Sequence, residues 1–463
     1  MGHDRLSPQD SSFLHLEDDT SHMHIASVCI FEGPQPDFEQ FLSIVKGKVP
    51  LVPRYRQVVR NVPLQIGRPV WVDDPYFNIE YHVRHTALPS PGGEPELRRL
   101  VGRVMAQQLD RSKPLWEMWV VEGLDDGRWA VLAKTHHCMV DGVSGTDLLT
   151  LMLDISPVPA VVDDDHWRPS PSPSNATLVA EALASLARSP YEQMRAVRAS
   201  TRLPREVAGK VGETVKGLRG MAGLVRQNEN SLNGPIGPHR RFAWAEMTVD
   251  DVKRVRKGLG GTFNDVVLTV ITRGFRDLLA SRGESTDTVV RTMVPVSVRG
   301  RDESGRAVGD GTFDNKVAAM FAELPVNLAD PVERLHAISE QMAGLKESKQ
   351  AVAAESLVSL SGFAPPMLLG LGTRIASRLP QRSVNTVTTN VPGPQFPLYA
   401  AGRVMLKAYP YVPLGVQVRV AVGIFSYNGQ ITFGVTGDYD GAPDIEVLCR
   451  GIEEGITELL AIS

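Results

Sequence analysis

Cysteine is scarce in this 463-residue chain. Cys29, Cys138 and Cys449 are odd in number and far apart, which excludes a disulfide framework and the paired spacings of a zinc site, and fits a reducing cytoplasm. Long apolar runs are missing too: none approaches the roughly 18 residues that a membrane span needs. The start MGHDRLSPQD has neither the basic opening nor the apolar stretch of a secretory signal, so any membrane contact is expected to be peripheral. Charge of one sign is not in excess, with 49 Lys and Arg against 53 Asp and Glu, and the net charge of -4 provides no global field for nucleic acid. No G-x-S-x-G elbow, phosphate-binding P-loop or complete G-x-G-x-x-G occurs; Gly370-Leu371-Gly372 lacks the third glycine. At 42% hydrophobic and 22% charged residues, the chain also lacks the signature of disorder.

The length favours two domains of roughly 200 residues each. Residues 24–31 (HIASVCIF) and 69–72 (PVWV) read as strands, rich in β-branched and aromatic residues and ended by breakers. Leu97, Leu100, Val101, Val104, Met105 and Leu109 recur at helical spacing within 96–109. Residues 119–124 and 129–135 flank the turn Asp125-Asp126-Gly127, a hairpin signal. From 157 to 173 prolines and polar residues interrupt regular structure, and the interdomain linker is placed there. Val207, Val211, Val215, Leu218, Ala222 and Val225 then form an apolar stripe with Lys210, Lys216, Arg219 and Arg226 on other faces. That amphipathic segment either packs one face on the protein or lies on a lipid surface. Further on, 241–248, 289–298 and 384–391 read as strands, 264–276 as a helix, and 421–435 as a hairpin around Tyr427-Asn428-Gly429. The expected division is 1–156, a linker with the amphipathic segment over 157–240, and 241–463, with a ligand cleft between two α/β lobes.

The strongest chemical signal is His136-His137-Cys138-Met139-Val140-Asp141-Gly142. In the preceding strand Trp129, Val131, Ala133 and Thr135 share one face and Ala130, Leu132, Lys134 and His136 the other, so the two histidines are expected to point in opposite directions. Gly142 and Gly145 are expected to open a helix, making the motif a strand-to-helix corner. A histidine with an ordinary pKa near 6.5 is neutral at physiological pH and can take the proton of a hydroxyl, which is a poor nucleophile until it loses it. Structural roles for both histidines, or metal binding by His137 and Asp141, are the alternatives; no further ligand cluster completes a metal site. Cys138 has no neighbour in sequence that would stabilise a thiolate, so direct acyl transfer is the simpler expectation.

The run HHCMVDG matches the HHxxxDG signature of condensation-type acyltransferases. Together with LSPQDSSFL, PVWVDD, LDRSKPLWEMWVVEGL, FNDVV, MVPVSVR and TNVPGP, it resembles the bacterial wax ester synthase/diacylglycerol acyltransferase family over nearly the full chain. The resemblance implies an α/β fold of two chloramphenicol-acetyltransferase-like lobes with the active-site tunnel between them. It implies His137 as general base, with His136 and Asp141 holding the corner in shape. Asn264 of the Asn264-Asp265 pair either steadies the oxyanion region or caps its helix. Gly142, Pro114, Leu115, Trp116 and Asp265 are expected along the substrate passage. The family's glycine-asparagine pair is here Asp314-Asn315, a departure that bears on Asn315. Arg54 and Arg56 are the arginines suggested as partners of Asp141.

The expected reaction moves a long-chain acyl group from acyl-CoA to diacylglycerol or a long-chain alcohol, without metal or redox cofactor. Its expected place is the cytoplasm, at the inner membrane face or a lipid-droplet surface. A condensation-type enzyme esterifying a polyketide hydroxyl is the enzymatic rival, and a non-catalytic droplet-coating protein the rival of another class. The intact HHCMVDG argues against the latter, because binding alone does not need a histidine base.

Overall fold

Two six-stranded sheets organise the chain in the computed structural model, which describes residues 3–140, 152–159, 166–185, 230–297, 317–347 and 384–463. The first half supplies α1 (Pro8–Leu16), β1 (His24–Phe31), α2 (Phe38–Lys48), β2 (Gln57–Arg60), β3 (Val70–Asp73), α3 (Ile79–His82), β4 (Val83–Ala87), α4 (Glu94–Met105), β5 (Trp116–Glu122) and β6 (Trp129–His136). The second half supplies β7 (Arg240–Thr248), α5 (Val249–Leu259), α6 (Phe263–Ser281), β8 (Val290–Ser297), β9 (Val317–Leu324), α7 (Pro331–Glu347) and β10 (Thr386–Pro392). It ends with β11 (Tyr399–Ala400), β12 (Arg403–Tyr411), β13 (Val420–Tyr427), β14 (Gln430–Asp438) and α8 (Ile445–Ile462).

The expected alternation along β6 holds. Trp129 and Val131 join a cluster with Phe31, Phe41 and Trp71, whereas Ala130 and Leu132 face Leu97, Leu100, Val101 and Val104 of α4. Lys134 continues that second face, and its buried ammonium donates to the carbonyls of Val104 (3.0 Å) and Gln107 at the open end of α4. The Gln107 carbonyl lies past the last turn and the Val104 carbonyl also takes the Gln107 N–H at 3.3 Å, so the side chain adds to the closure of the helix end. The hairpin turns expected around Gly127 and Gly429 also hold, with positive φ at Asp126, Gly127, Asn428 and Gly429.

Sheet membership crosses the linear division expected from the sequence. The first sheet runs β11-β12-β1-β6-β5-β4, so residues 399–411 of the second half complete the first-half sheet. β12 pairs antiparallel with β1, matching Ala26 with Tyr411 and Val28 with Tyr409. The second sheet runs β7-β14-β13-β10-β8-β9, and its middle strands β13 and β14 are buried nearly end to end. Burial along the whole strand is what a strand covered on both faces shows. α5, α6, α7 and α8 enclose the core against this second sheet.

The two sheets meet where β12 crosses β13 and β14. Gly423 and Gly434 stand opposite each other in that ladder, and both face Pro410. A Cβ on Gly434 would sit 1.6 Å from the Pro410 carbonyl oxygen. The notch therefore depends on the missing side chains. Beside it, Trp244 of β7 stacks on Tyr409 of β12 at 4.5 Å, and the Glu246 carboxylate accepts from Lys407 Nζ at 2.7 Å and from the Tyr409 hydroxyl.

Candidate active site

β6 ends at His136, and residues His137–Met139 turn tightly as one 3-10 turn. The His137 N–H donates to the Met23 carbonyl (2.8 Å), the Val140 N–H to the His137 carbonyl (3.2 Å) and the His136 N–H to the Leu115 carbonyl (2.9 Å). The ring of His136 caps the turn, its Nδ1 accepting from the Cys138 N–H at 3.1 Å. An accepting Nδ1 carries the lone pair, so the ring proton belongs on Nε2. With its backbone donors paired, the corner is held in place.

The two imidazoles have different surroundings. His136 is fully buried, and its Nε2 lies 3.4 Å from Oε2 of Glu17. The same carboxylate lies 3.2 Å from Nε2 of the buried His24 and accepts from Arg111, whose Nε is 3.1 Å away. Burial opposes charge on Glu17, but His136, His24 and Arg111 outweigh it and hold its carboxyl far below the usual carboxylate range. Burial pushes His24 down to about 3 against the pull of Glu17.

His137 is half-buried, its ring 4.1 Å from that of Phe13 on α1 and tilted by 33°. Burial, with a smaller contribution from the nearby His136, lowers its pKa to about 4. The imidazole is therefore neutral at physiological pH and has a free electron pair for a proton. Cys138 is buried, and its thiol is pushed well above its ordinary value first by burial and then by the charges of Asp10 and Glu17. That environment disfavours a thiolate nucleophile.

The other expected site residues divide into groups. Pro114, Leu115 and Trp116 are buried, and Leu115 touches the corner through its backbone carbonyl. Trp116 stacks between Tyr55 (4.3 Å) and His82 (4.6 Å) and donates its indole N–H to the Tyr55 carbonyl at 3.0 Å. These contacts support the wall behind the motif. In the second lobe the cap of α6 is Thr262, with Asp265 completing a reciprocal capping box, so Asn264 is not the cap. The buried Asp265 carboxylate accepts from the Thr262 N–H (2.8 Å) and from the Ser339 hydroxyl (3.1 Å), contacts that account for it without a substrate. The Asn264 side-chain oxygen instead accepts from Asn390 Nδ2 on β10 at 3.4 Å. Next along β10, Val391 packs with Phe425 and Tyr427 against the cluster that contains Cys138, Met139 and Val140. The asparagine pair thus ties α6 to β10.

Arg54 binds Asp4 and lies 4.7 Å over the Trp71 ring. Arg56 lies 4.8 Å over Trp167. Asp141, Gly142, Asp314, Asn315 and the amphipathic segment 207–225 lie outside the described residues. Reading the sequence missed Glu17, His24, Arg111, Phe13 and Asn390. Asn390 stands inside the TNVPGP run and Glu17 closes the helix that begins within LSPQD, but only contacts distant in sequence give them their partners.

A family model for the wax ester synthase/diacylglycerol acyltransferase catalytic domain matches residues 6–267, and one for the C-terminal domain of the same family matches 313–460. A probable diacylglycerol O-acyltransferase of Mycobacterium tuberculosis is 37% identical over 463 residues, covering 99% of this chain and 96% of the relative. The wax ester synthase/diacylglycerol acyltransferase from Marinobacter aquaeolei VT8 superposes with a TM-score of 0.66 at 25% identity, covering 98% of both chains. The first condensation domain of the calcium-dependent antibiotic synthetase shares the fold, with a TM-score of 0.57 at 16% identity over 100% of this chain and 97% of that one. Two family models that between them take in both lobes, and relatives alike over almost the whole length, establish that the chain belongs to the wax ester synthase/diacylglycerol acyltransferase family.

Proposed function

We propose that His137 is the general base of an acyl-CoA-dependent O-acyltransferase. The observation that carries the reading is a half-buried, neutral imidazole on a rigid turn at the seam of the two sheets. The hydroxyl proton of the acceptor passes to the free ring nitrogen as its oxygen attacks the thioester carbonyl. The C–O bond forms, the C–S bond breaks, and the proton returns from the imidazolium to the CoA thiolate. Every atom is accounted for by donor and acceptor, so this route calls on neither metal nor redox cofactor.

The donor is a long-chain acyl-CoA and the acceptor diacylglycerol or a long-chain alcohol; the relatives' names, diacylglycerol acyltransferase and wax ester synthase, are in keeping with acyl transfer to such acceptors. Among the described residues no helix is long and apolar enough to cross a membrane. Acceptors of this kind dissolve poorly in water, so the enzyme works in the cytoplasm on the inner membrane face or a lipid-droplet surface, reached through the basic-flanked stripe of 207–225. Changing Val211, Val215 and Leu218 to Ser should reduce vesicle association and spare turnover of a short, soluble alcohol. Unchanged partitioning would assign the stripe to internal packing.

The central test is CoA release by His137→Ala with a panel of acyl-CoAs and acceptors. A fall in kcat of roughly 10²- to 10⁴-fold, the usual worth of a positioned base, is expected with acyl-CoA affinity and Tm close to the parent. Substantial turnover by this variant, alongside a folded but inactive His136→Ala, would move the base to the other histidine.

A further inference from the structure

The carboxylate of Glu17 lies among three side chains from three separate places in the chain: His24 at the start of β1, His136 at the end of β6, and Arg111 in the loop after α4. It is almost fully buried, with 4% of its side chain exposed. A buried carboxylate with this set of neighbours is costly to assemble unless its geometry serves something. Two routes lead from it to His137. Through the side chain, Glu17 faces the Nε2 side of His136, whose Nδ1 in turn accepts the Cys138 N–H inside the turn that begins at His137. Through Arg111, which the carboxylate holds, the second route reaches the end of α1, where the Glu17 N–H, supplied whatever the side chain, bonds the Phe13 carbonyl at 3.2 Å and Phe13 stands against the His137 ring. Arg111 braces the same helix end, donating from Nη2 to the Leu14 carbonyl at 2.9 Å.

We infer that Glu17 is a positioning residue for the transfer reaction: it fixes the His136 tautomer on one side of the turn and the Phe13 wall on the other, and so sets where the His137 ring stands. The inference rests on His137 being the base. The Glu17 carboxylate, 3.4 Å from Nε2 and outside hydrogen-bond geometry, draws the ring proton to Nε2 by charge and so leaves Nδ1 free for the Cys138 N–H; a flipped or protonated ring would present a donor to a donor. A displacement of the base by an ångström or less is enough to slow proton transfer strongly while leaving substrate binding intact.

The experiment compares Glu17→Gln, Glu17→Asp, His137→Ala and the Glu17→Gln/His137→Ala double variant in the full chain. CoA release is normalised to folded enzyme by acyl-CoA binding stoichiometry. Both Glu17 variants should lose about 10- to 100-fold in kcat, with KM for acyl-CoA and acceptor within about twofold of the parent. In the His137→Ala background the Glu17→Gln change should cost less than about threefold, because a positioning residue has nothing left to position. Glu17→Asp keeps the charge, so it remains informative if Glu17→Gln does not fold. A Glu17 variant with parental kcat per folded enzyme, or the same loss in the presence and absence of His137, would overturn the inference. Retained turnover by His137→Ala alone would instead overturn the assignment of the base, so the two failures are told apart.

Discussion

The aromatic ring of Phe13 stands 4.1 Å from the imidazole of His137, so a helix near the N-terminus walls a histidine more than 100 residues away in sequence. Much of the dry environment that lowers the His137 pKa to about 4 belongs to contacts of this kind. Phe13→Ala should admit water, and the acidic limb of kcat/KM against pH should rise by about one pH unit toward the ordinary histidine value. A limb that stays in place would show that other walls keep the ring dry.

The same burial makes stability depend on pH. The folded pKa of His137 is depressed from 6.5 to about 4, so between those values the unfolded chain binds the proton and the folded one does not. Stability should be fully present above pH 6.5 and fall as pH drops toward 4, by up to about 3 kcal/mol for this group. His24, lowered to about 3, acts in the same direction. Urea unfolding between pH 4.5 and 7 should show a shallower dependence for His137→Ala than for the parent; equal slopes would contradict this account.

Lys134 carries the complementary effect at alkaline pH. Burial lowers its ammonium from 10.5 to about 8, with Glu117 pulling the other way. Between those values the unfolded chain holds more protons, so this residue makes the fold more stable as pH rises from 8 toward 10. Lys134→Met should flatten that rise, and it should also lower overall stability because the Gln107 carbonyl loses its side-chain donor and the Val104 carbonyl loses one of its donors. Denaturation midpoints at pH 8, 9 and 10 for both proteins provide the check.

Gly434→Ala should be among the most damaging single-methyl changes in the molecule. Its Cβ would lie 1.6 Å from the Pro410 carbonyl oxygen, an atom of the backbone that cannot swing away. Either β12 lifts from β13 and β14 or the strand bends, at a cost of about 3 kcal/mol or more. A fall in Tm of less than a few degrees would mean that the crossing is looser than this packing implies.

Local pattern was enough for a good part of the molecule. The period-two alternation of 129–136, the helical spacing of Leu97 to Met105, and the turns at Gly127 and Gly429 were legible because each is set by residues near in sequence. HHCMVDG and its companion motifs pointed to the family and to the histidine pair for the same reason: they are short runs of particular residue types. Tertiary structure alone decided the rest. Nothing local says that 403–411 adds itself to the first sheet, since strand pairing is chosen by which distant edge is open and which faces fit. The helix cap went to Thr262 and left Asn264 to meet Asn390, a partner 126 residues away. Glu17, His24, Arg111 and His136 carry no shared spacing; they meet because folding buries the Glu17 carboxylate beside the two buried imidazoles and brings the half-exposed Arg111 in from the surface to offset its charge.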